Sequence, residues 1–448
     1  MHNIANRLEL FIDDWLIEHL RGAQIRLHHP VPQNVAIPFD KPWEGSVSFY
    51  VTVFKDSDCF RAYYRGQNAE SDEAVTAHAE SDDGIIWRKP ALGLFEWRGS
   101  KANNIIWTAE GTHNFTPFRD ENPAAPPEQR YKALAGCHIE APAGSADWRA
   151  TQALRAFASP DGLHWRPLRD EPVITEGAFD SQNLAFWDTL QQQYVAYVRD
   201  FRDGVRHIRR TTSKDFIHWA FPEWLDFGDA PLEHLYTNAI TPYFRAPHIY
   251  LGFPKRFVPD RKAVPSHPEG GLSDGVFMTS RDGLHWHRFR EAFIRPGPDE
   301  ENWTERNIGT AWGVVPTGES QISLYWVEHY RHPTCRLRRG TLRTDGFVSI
   351  NAPSSGGELL TRTFKFSGAN LIINFATSAA GSVRVEMQDE HGHPLPGFRL
   401  EECPDIYGDR ITHIVRWEGD SDVASLAGRP VRLRFLLKDA DLYSIRFQ

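Results

Sequence analysis

Cysteine is scarce in this chain. Cys59, Cys137, Cys335 and Cys403 are the four among 448 residues. They lie far apart and at no metal-ligand spacing, which excludes a disulfide scaffold and a cysteine-built zinc site and leaves free core or edge thiols. Histidine is plentiful, at 20, yet no His-Glu-x-x-His occurs, and His28-His29, His329 and His332 sit on no recognised ligand frame. An axial ion held by His113 is the one metal alternative. Without a Gly-rich phosphate loop or a nucleophile elbow, neither an organic cofactor nor a metal is expected. No apolar run approaches membrane length. The first residues, Met1 to Arg7, lack the apolar core of a secretion signal. The expectation is a cytoplasmic protein without a membrane partner, with secretion left open. The net charge of −9 argues against non-specific nucleic-acid binding.

Aromatic residues are abundant: 15 Trp, 28 Phe and 13 Tyr. Thirty Pro and 33 Gly are spread along the chain, which implies many turns and an all-β architecture. The length suits two or three domains. One short phrase recurs. It reads Ser81-Asp82-Asp83-Gly84-Ile85-Ile86-Trp87, then Ser159-Pro160-Asp161-Gly162-Leu163-His164-Trp165. It returns as Ser213-Lys214-Asp215-Phe216-Ile217-His218-Trp219 and as Ser280-Arg281-Asp282-Gly283-Leu284-His285-Trp286, with a worn copy at Thr344-Asp345-Gly346-Phe347. Asp-Gly between apolar runs signals a hairpin, because Gly takes positive φ without steric cost. Ser and Asp can accept from nearby backbone N–H groups. The Trp can pin one strand pair onto its neighbour. Repeats on this scale mark solenoids, propellers or arrays.

With the phrases as rulers, five similar units follow. Their first strands begin near Trp43, Thr112, Phe179, Tyr236 and Trp303. Five such units arranged radially make a five-bladed β-propeller, expected over residues 41–351 and carrying the catalytic site. From about Ala352 the phrase disappears and short alternating strands continue to the end, which reads as a β-sandwich over 352–448. Pro353 to Gly357 is the expected linker, and residues 1–40 are expected as a lead-in packed on the propeller. The sandwich is expected to buttress the fold rather than to bind sugar independently.

A five-bladed propeller followed by a β-sandwich resembles the invertase and fructan hydrolase group of glycoside hydrolases. It also resembles their arabinofuranosidase and arabinanase relatives, and Thr212 to Trp219 is close to the hairpin those enzymes carry. Their catalytic signatures are altered here, as in a divergent branch. The slot of the first-blade Asn-Asp-Pro reads Lys41-Pro42-Trp43-Glu44-Gly45, and the slot of the second-blade Arg-Asp-Pro reads His113-Asn114. Neither Arg119-Asp120 nor Arg199-Asp200 precedes Pro, and Phe179-Asp180-Ser181 stands for the third-blade Glu-Cys. The resemblance implies a glycosidase acting on a furanoside such as a fructoside or arabinoside. The alternatives are a lectin-like propeller without catalysis and a glycoside phosphorylase, the latter needing a basic phosphate pocket for which Lys255-Arg256 and Arg306 are the hints. A sialidase ranks low, because that fold uses six blades.

The polar residues that open the first strands are expected to line the funnel. The catalytic candidates are Glu44, Asp180 and Glu305, since glycoside hydrolysis needs one carboxyl as acid and another as base or nucleophile. Arg306 and Trp303 beside Glu305 suggest it as the acid. Trp43, His113, Asn114, Gln182, Asn183, Tyr236, Asn238, Trp303, Arg306 and Asn307 are the expected substrate-binding residues. The aromatics would stack on sugar C–H faces and the others would hydrogen-bond hydroxyls. Asp200 and Asp13-Asp14 are reserve acids, more readily structural. The expected partner is a glycoside or oligosaccharide, and homo-oligomerisation is left open.

Overall fold

The computed structural model describes residues 1–448 except 71–72, 141–146, 419 and 421. The described chain is all-β, with helical structure confined to single turns such as Glu300–Trp303. It divides into two units, Pro30–Thr341 and Met1–His29 with Leu342–Gln448.

Pro30–Thr341 is a five-bladed β-propeller. Blade 1 contains Phe49–Asp56, Cys59–Gly66, Val75–Ser81 and Ile105–Trp107. Blade 2 contains Thr116–Arg119, Tyr131–His138, Gln152–Ser159 and Arg166–Pro167, and blade 3 Leu184–Asp188, Gln193–Arg202, Val205–Ser213 and Glu223–Trp224. Blade 4 is a six-stranded sheet between His234 and Ile294. Blade 5 takes its outer strand from earlier in the chain: Val31–Pro38 pairs antiparallel with Arg336–Arg343. A blade built from both ends of the propeller sequence closes the ring, which leaves no frayed edge between first and last blades.

The repeated phrase does form the outer hairpins of blades 1 to 4. In each, the Ser hydroxyl accepts from the backbone N–H three residues on, at 2.9 Å. The Asp carboxylate accepts from the N–H groups two and three residues on, for Asp161 both at 2.9 Å. In blades 2 to 4 the Trp indole returns to the turn carbonyl, Trp165 to Gly162 at 3.0 Å, Trp219 to Phe216 at 3.2 Å and Trp286 to Gly283 at 3.1 Å. Phe216 takes the glycine's place at φ +68°; its fully buried ring packs against Phe118, Tyr194 and Trp219, which offsets the backbone strain. Burial alone would raise the Asp161 pKa. The N–H groups of His164 and Leu163 and the His164 ring outweigh it and hold the carboxyl at about 2. Asp215 and Asp282 are lowered by the same contacts. A depressed carboxyl contributes stability that is present above the unfolded value of about 3.9 and lost as pH falls through the folded one. Acid unfolding is therefore expected to run between about pH 4 and 2, and the Asp161→Asn/Asp282→Asn variant to show a flatter limb there by circular dichroism.

A second repeat was invisible in the sequence. An Asp at the end of one blade's first strand accepts from a Tyr hydroxyl of the next blade's second strand. Tyr131 donates to Asp56 at 2.6 Å, Tyr194 to Asp120 at 2.7 Å, and Tyr250 to Asp188. These buried bonds rivet blades 1 to 4 in sequence.

The second unit is a β-sandwich-type domain built on one ten-stranded sheet. Its long strands Leu371–Asp389 and Val431–Phe447 pair antiparallel along most of their length. Two differences from expectation follow from ladder pairing. Residues 1–40 do not form one lead-in to the propeller, because Met1–His29 contributes strands to this sheet, His2–Ala5 beside Phe364–Phe366 and Gln24–Leu27 beside Val348–Ala352. The worn phrase is not a fifth blade hairpin: Asp345 is fully buried in this unit and accepts from Asn374 and Ser444 at 3.3 Å. The core joins Ile4, Phe11 and Leu16 to Leu371, Val385, Phe435 and Phe447. Removing 352–448 strips that core from the first strands. The truncated chain is expected to be insoluble, and a soluble, fully active remnant in the supernatant would contradict this.

Candidate active-site funnel

The funnel begins with a pinned loop. Between blades 2 and 3, Ala178 N–H donates to Arg199 O at 2.9 Å and Ser181 N–H to Phe179 O at 2.7 Å. The carbonyls of Phe179 and Ser181 each accept from two side-chain amides. Asn114 donates to them at 2.7 and 2.8 Å, and Asn183 to both at 2.9 Å. The Ser181 hydroxyl donates to Tyr236 O at 2.6 Å. Phe179 and Ser181 are buried, whereas the Asp180 side chain is 47% exposed. The loop thus presents one carboxylate from a rigid support.

Two strand irregularities present the next groups. Blade 1 carries an extra residue between Phe49 and Thr52, where Tyr50 adopts φ +53°. Blade 4 carries one between Leu235 and Thr237, at Tyr236. A bulge turns a side chain away from the regular alternation, and both tyrosines line the same cavity as Asp180. The cavity, of about 260 Å³, is also lined by Phe49, Arg65, His113, Lys255, Arg306, Tyr330 and Arg331.

His113 Nε2 lies 2.9 Å from Asp180 Oδ1 and its Nδ1 lies 3.0 Å from the Arg65 guanidinium. An arginine can only donate, so His113 accepts at Nδ1 and donates from Nε2 to Asp180. Burial lowers the His113 pKa, and the Arg65 charge adds to this against the Asp180 hydrogen bond. Burial alone would raise the Asp180 pKa, but the His113 hydrogen bond and the charges of Arg199 and Arg65 hold it below the usual carboxylate value. At neutral pH the pair is a neutral imidazole serving an ionised carboxylate. Tyr50 goes the other way: burial, with Tyr236 and Asp180 nearby, raises its pKa well above that of an ordinary phenol.

Of the sequence-derived candidates, Asp180, His113, Tyr236 and Arg306 share this cavity. Glu44 does not line it. It is 1% exposed and accepts from Tyr64 at 2.7 Å, from Lys89 at 2.5 Å and from Lys41 N–H at 3.0 Å. Glu305 is also buried, and it is paired with Arg331. The amides are internal clamps. Asn114 Oδ1 accepts from Gly136 N–H at 2.7 Å, Asn183 from Arg199 N–H at 3.0 Å and Asn307 from Tyr330 N–H at 2.7 Å. Each ties the start of a first strand to the second strand of its blade. Asn238 donates to Tyr197 O at 3.2 Å, and Gln182 to Val51 O and Thr52 at 3.2 Å. Trp43 donates to Asn104 at 2.7 Å and Trp303 to Gly297 O at 2.7 Å, and neither lines the cavity. The reserve acid Asp200 pairs with Arg209 at 3.0 Å. Among the described residues no cluster of three or more His, Cys, Asp or Glu is suited to a metal ion.

Sequence reasoning missed Tyr50, Arg65, Tyr330 and Arg331, and singled out Lys255 only as half of a basic pair. A bulge or a second-strand position carries no strand-start signal, so only the fold brings them to the funnel.

No protein-family model matches the chain, and neither does any curated protein. Solved structures do. An N-acetylgalactosamine deacetylase from F. plautii, in complex with blood group B trisaccharide, is similar with a TM-score of 0.50 at 12% identity. The match covers 72% of this chain and 96% of that one. A structure described as a glycoside hydrolase gives 0.47 at 13% identity, over 70% and 92% of the two chains. The Bombyx mori GH32 beta-fructofuranosidase gives 0.44 at 9% identity, over 92% and 94%. Glycoside hydrolases are thus among the structures similar to this chain, and at these identities the likeness is one of fold. Among the described residues no helix is long and apolar enough to cross a membrane.

Proposed function

We propose that the protein cleaves a glycosidic bond in the propeller funnel, with Asp180 as the general base. The observation that carries this reading is the one carboxylate among the described residues that lines the cavity, fixed by an amide-clamped loop and oriented by the His113–Arg65 relay. A retaining double displacement needs two carboxyls about 5–5.5 Å apart across the sugar. Here the other two candidate acids are buried in ion pairs, which favours a single displacement by water. In that step the water oxygen bonds to the anomeric carbon as its proton passes to Asp180. The anomeric C–O bond breaks, its electron pair stays on the leaving oxygen, and that oxygen takes a proton. Tyr50, which keeps its proton and acts electrostatically on Asp180, is the donor in this reading and regains a proton from solvent. Glu305 anchors Arg331 at the rim instead. Glu44, with Lys89 and Tyr64, holds the entry to blade 1.

The resemblance to fructosidases and arabinosidases favours a furanoside. The test is a panel of nitrophenyl furanosides and pyranosides against the wild-type protein and Asp180→Asn. Turnover by the wild type that is lost in the variant supports the reading. Sugar binding without turnover of any glycoside returns the protein to the lectin class.

A further inference from the structure

The funnel is far more cationic than the chain that builds it. The chain carries a net charge of −9, yet Arg65, Lys255, Arg306 and Arg331 all line the cavity, and among the described residues Asp180 is its one lining acid. Glu305 neutralises Arg331 from beneath.

Lys255 is the most telling of these groups. It is 1% exposed. Its ammonium donates to the backbone carbonyl of Arg306 and lies 4.7 Å from the ring of Phe49, 4.9 Å from Tyr236 and 5.9 Å from Tyr330. The acid that acts on it is Glu305, which already serves Arg331. Burial, with the Arg306 charge adding, pushes its pKa well below the usual lysine value. Arg306, whose carbonyl accepts from that ammonium, adopts a left-handed conformation, φ +58°. Among the described residues its guanidinium makes no hydrogen bond, and its one ring contact is Tyr236 at 6.0 Å. A buried lysine and a half-buried arginine side by side repel each other and carry a desolvation cost that an anion between them would remove. A neutral sugar hydroxyl needs no such arrangement.

We infer that the base of the funnel, at Arg306 and Lys255 with Arg65 alongside, is an oxyanion site. This rests on the reading of the funnel as a sugar site and gives it a substrate class. The oxyanion is either a carboxylate carried by the sugar, as in a uronic acid, or inorganic phosphate taken up beside the sugar. The planar fork of Arg306 suits either geometry, and the concave walls concentrate the positive field at that point. Asp180, on the neighbouring wall, remains outside the oxyanion's contacts and free for the anomeric carbon.

Calorimetric titration of the wild-type protein tests the site without turnover. The probes are glucuronate and galacturonate, glucose and galactose as their neutral counterparts, and inorganic phosphate. A uronate that binds at least tenfold more tightly than its neutral counterpart supports the site and assigns it to a substrate carboxylate. Saturable phosphate binding without a uronate preference supports the site and assigns it to free phosphate. In either case Arg306→Gln weakens the anion by tenfold or more and weakens the neutral sugar by a smaller factor. Lys255→Met does the same where circular dichroism shows it folded. Equal binding of acidic and neutral sugars with no phosphate binding overturns the inference, and so does anion binding indifferent to Arg306→Gln. These results are independent of catalysis. Anion binding by a protein that cleaves no glycoside keeps the site and removes the glycosidase reading, while cleavage with no anion preference does the reverse.

Discussion

Asp180→Asn is expected to lower kcat by about 10²–10⁴-fold, the usual worth of a positioned general base, while thermal unfolding stays close to that of the wild type. The amide keeps the size of the side chain but cannot take a proton. Asp180 is half-exposed, and its loop is held by the carbonyls of Phe179 and Ser181 rather than by its own carboxylate. A KM change much smaller than the kcat change would place the loss in the chemical step. The pH profile carries the sign. With its pKa held below the ordinary carboxylate value, Asp180 stays ionised as pH falls. The acid limb of kcat/KM is therefore expected below about pH 4. His113, whose burial lowers its own pKa, stays neutral through the physiological range.

The largest effect on stability is expected at Asp120. It is fully buried at its side chain, binds the equally buried Lys132 and accepts from Tyr194 at 2.7 Å. Asp120→Ala leaves the Lys132 ammonium without its counter-charge and the Tyr194 hydroxyl without its acceptor, in the wall between blades 2 and 3. Breaking a buried pair from one side costs about 3–5 kcal/mol, a large share of the stability of an ordinary domain. The midpoint of urea unfolding should fall accordingly. Tyr194→Phe, which removes one hydrogen bond and no charge, should cost about 1 kcal/mol. If Asp120→Ala proved as mild as Tyr194→Phe, the rivet between blades would be dispensable and the account of how the ring holds together would be wrong.

The propeller was legible because its hairpins are local. Ser, Asp and Gly or Phe within four residues close each turn by their own hydrogen bonds, so the phrase announces itself wherever it stands. Blade closure was not legible. Whether Val31–Pro38 joins blade 5 is decided by pairing with Arg336–Arg343, some three hundred residues away, and nothing local in either segment states the partner. The Asp–Tyr rivets were hidden for the same reason. At the site, first-strand starts led to Asp180, His113, Tyr236 and Arg306, which line one cavity, but the same rule returned the asparagines. Amides at strand starts suit sugar hydroxyls and backbone clamps equally well, and Asn114, Asn183 and Asn307 turned out to be clamps because unpaired backbone groups lie beside them. The cationic floor is the larger omission. Lys255 was noted only as half of a basic pair, and burial against three aromatic rings is what gives it meaning.

One measurement tests the central claim most directly. In Asp180→Gly the loop keeps its clamps and loses only the carboxylate, leaving room for a small acid. Turnover of the best nitrophenyl glycoside should fall in Asp180→Gly as it does in Asp180→Asn, and in Asp180→Gly it should be restored, in a saturable and concentration-dependent way, by added formate. The account predicts that rescue in Asp180→Gly and none in Asp180→Asn, where the amide fills the space. Wild-type turnover in folded Asp180→Gly without formate would contradict it.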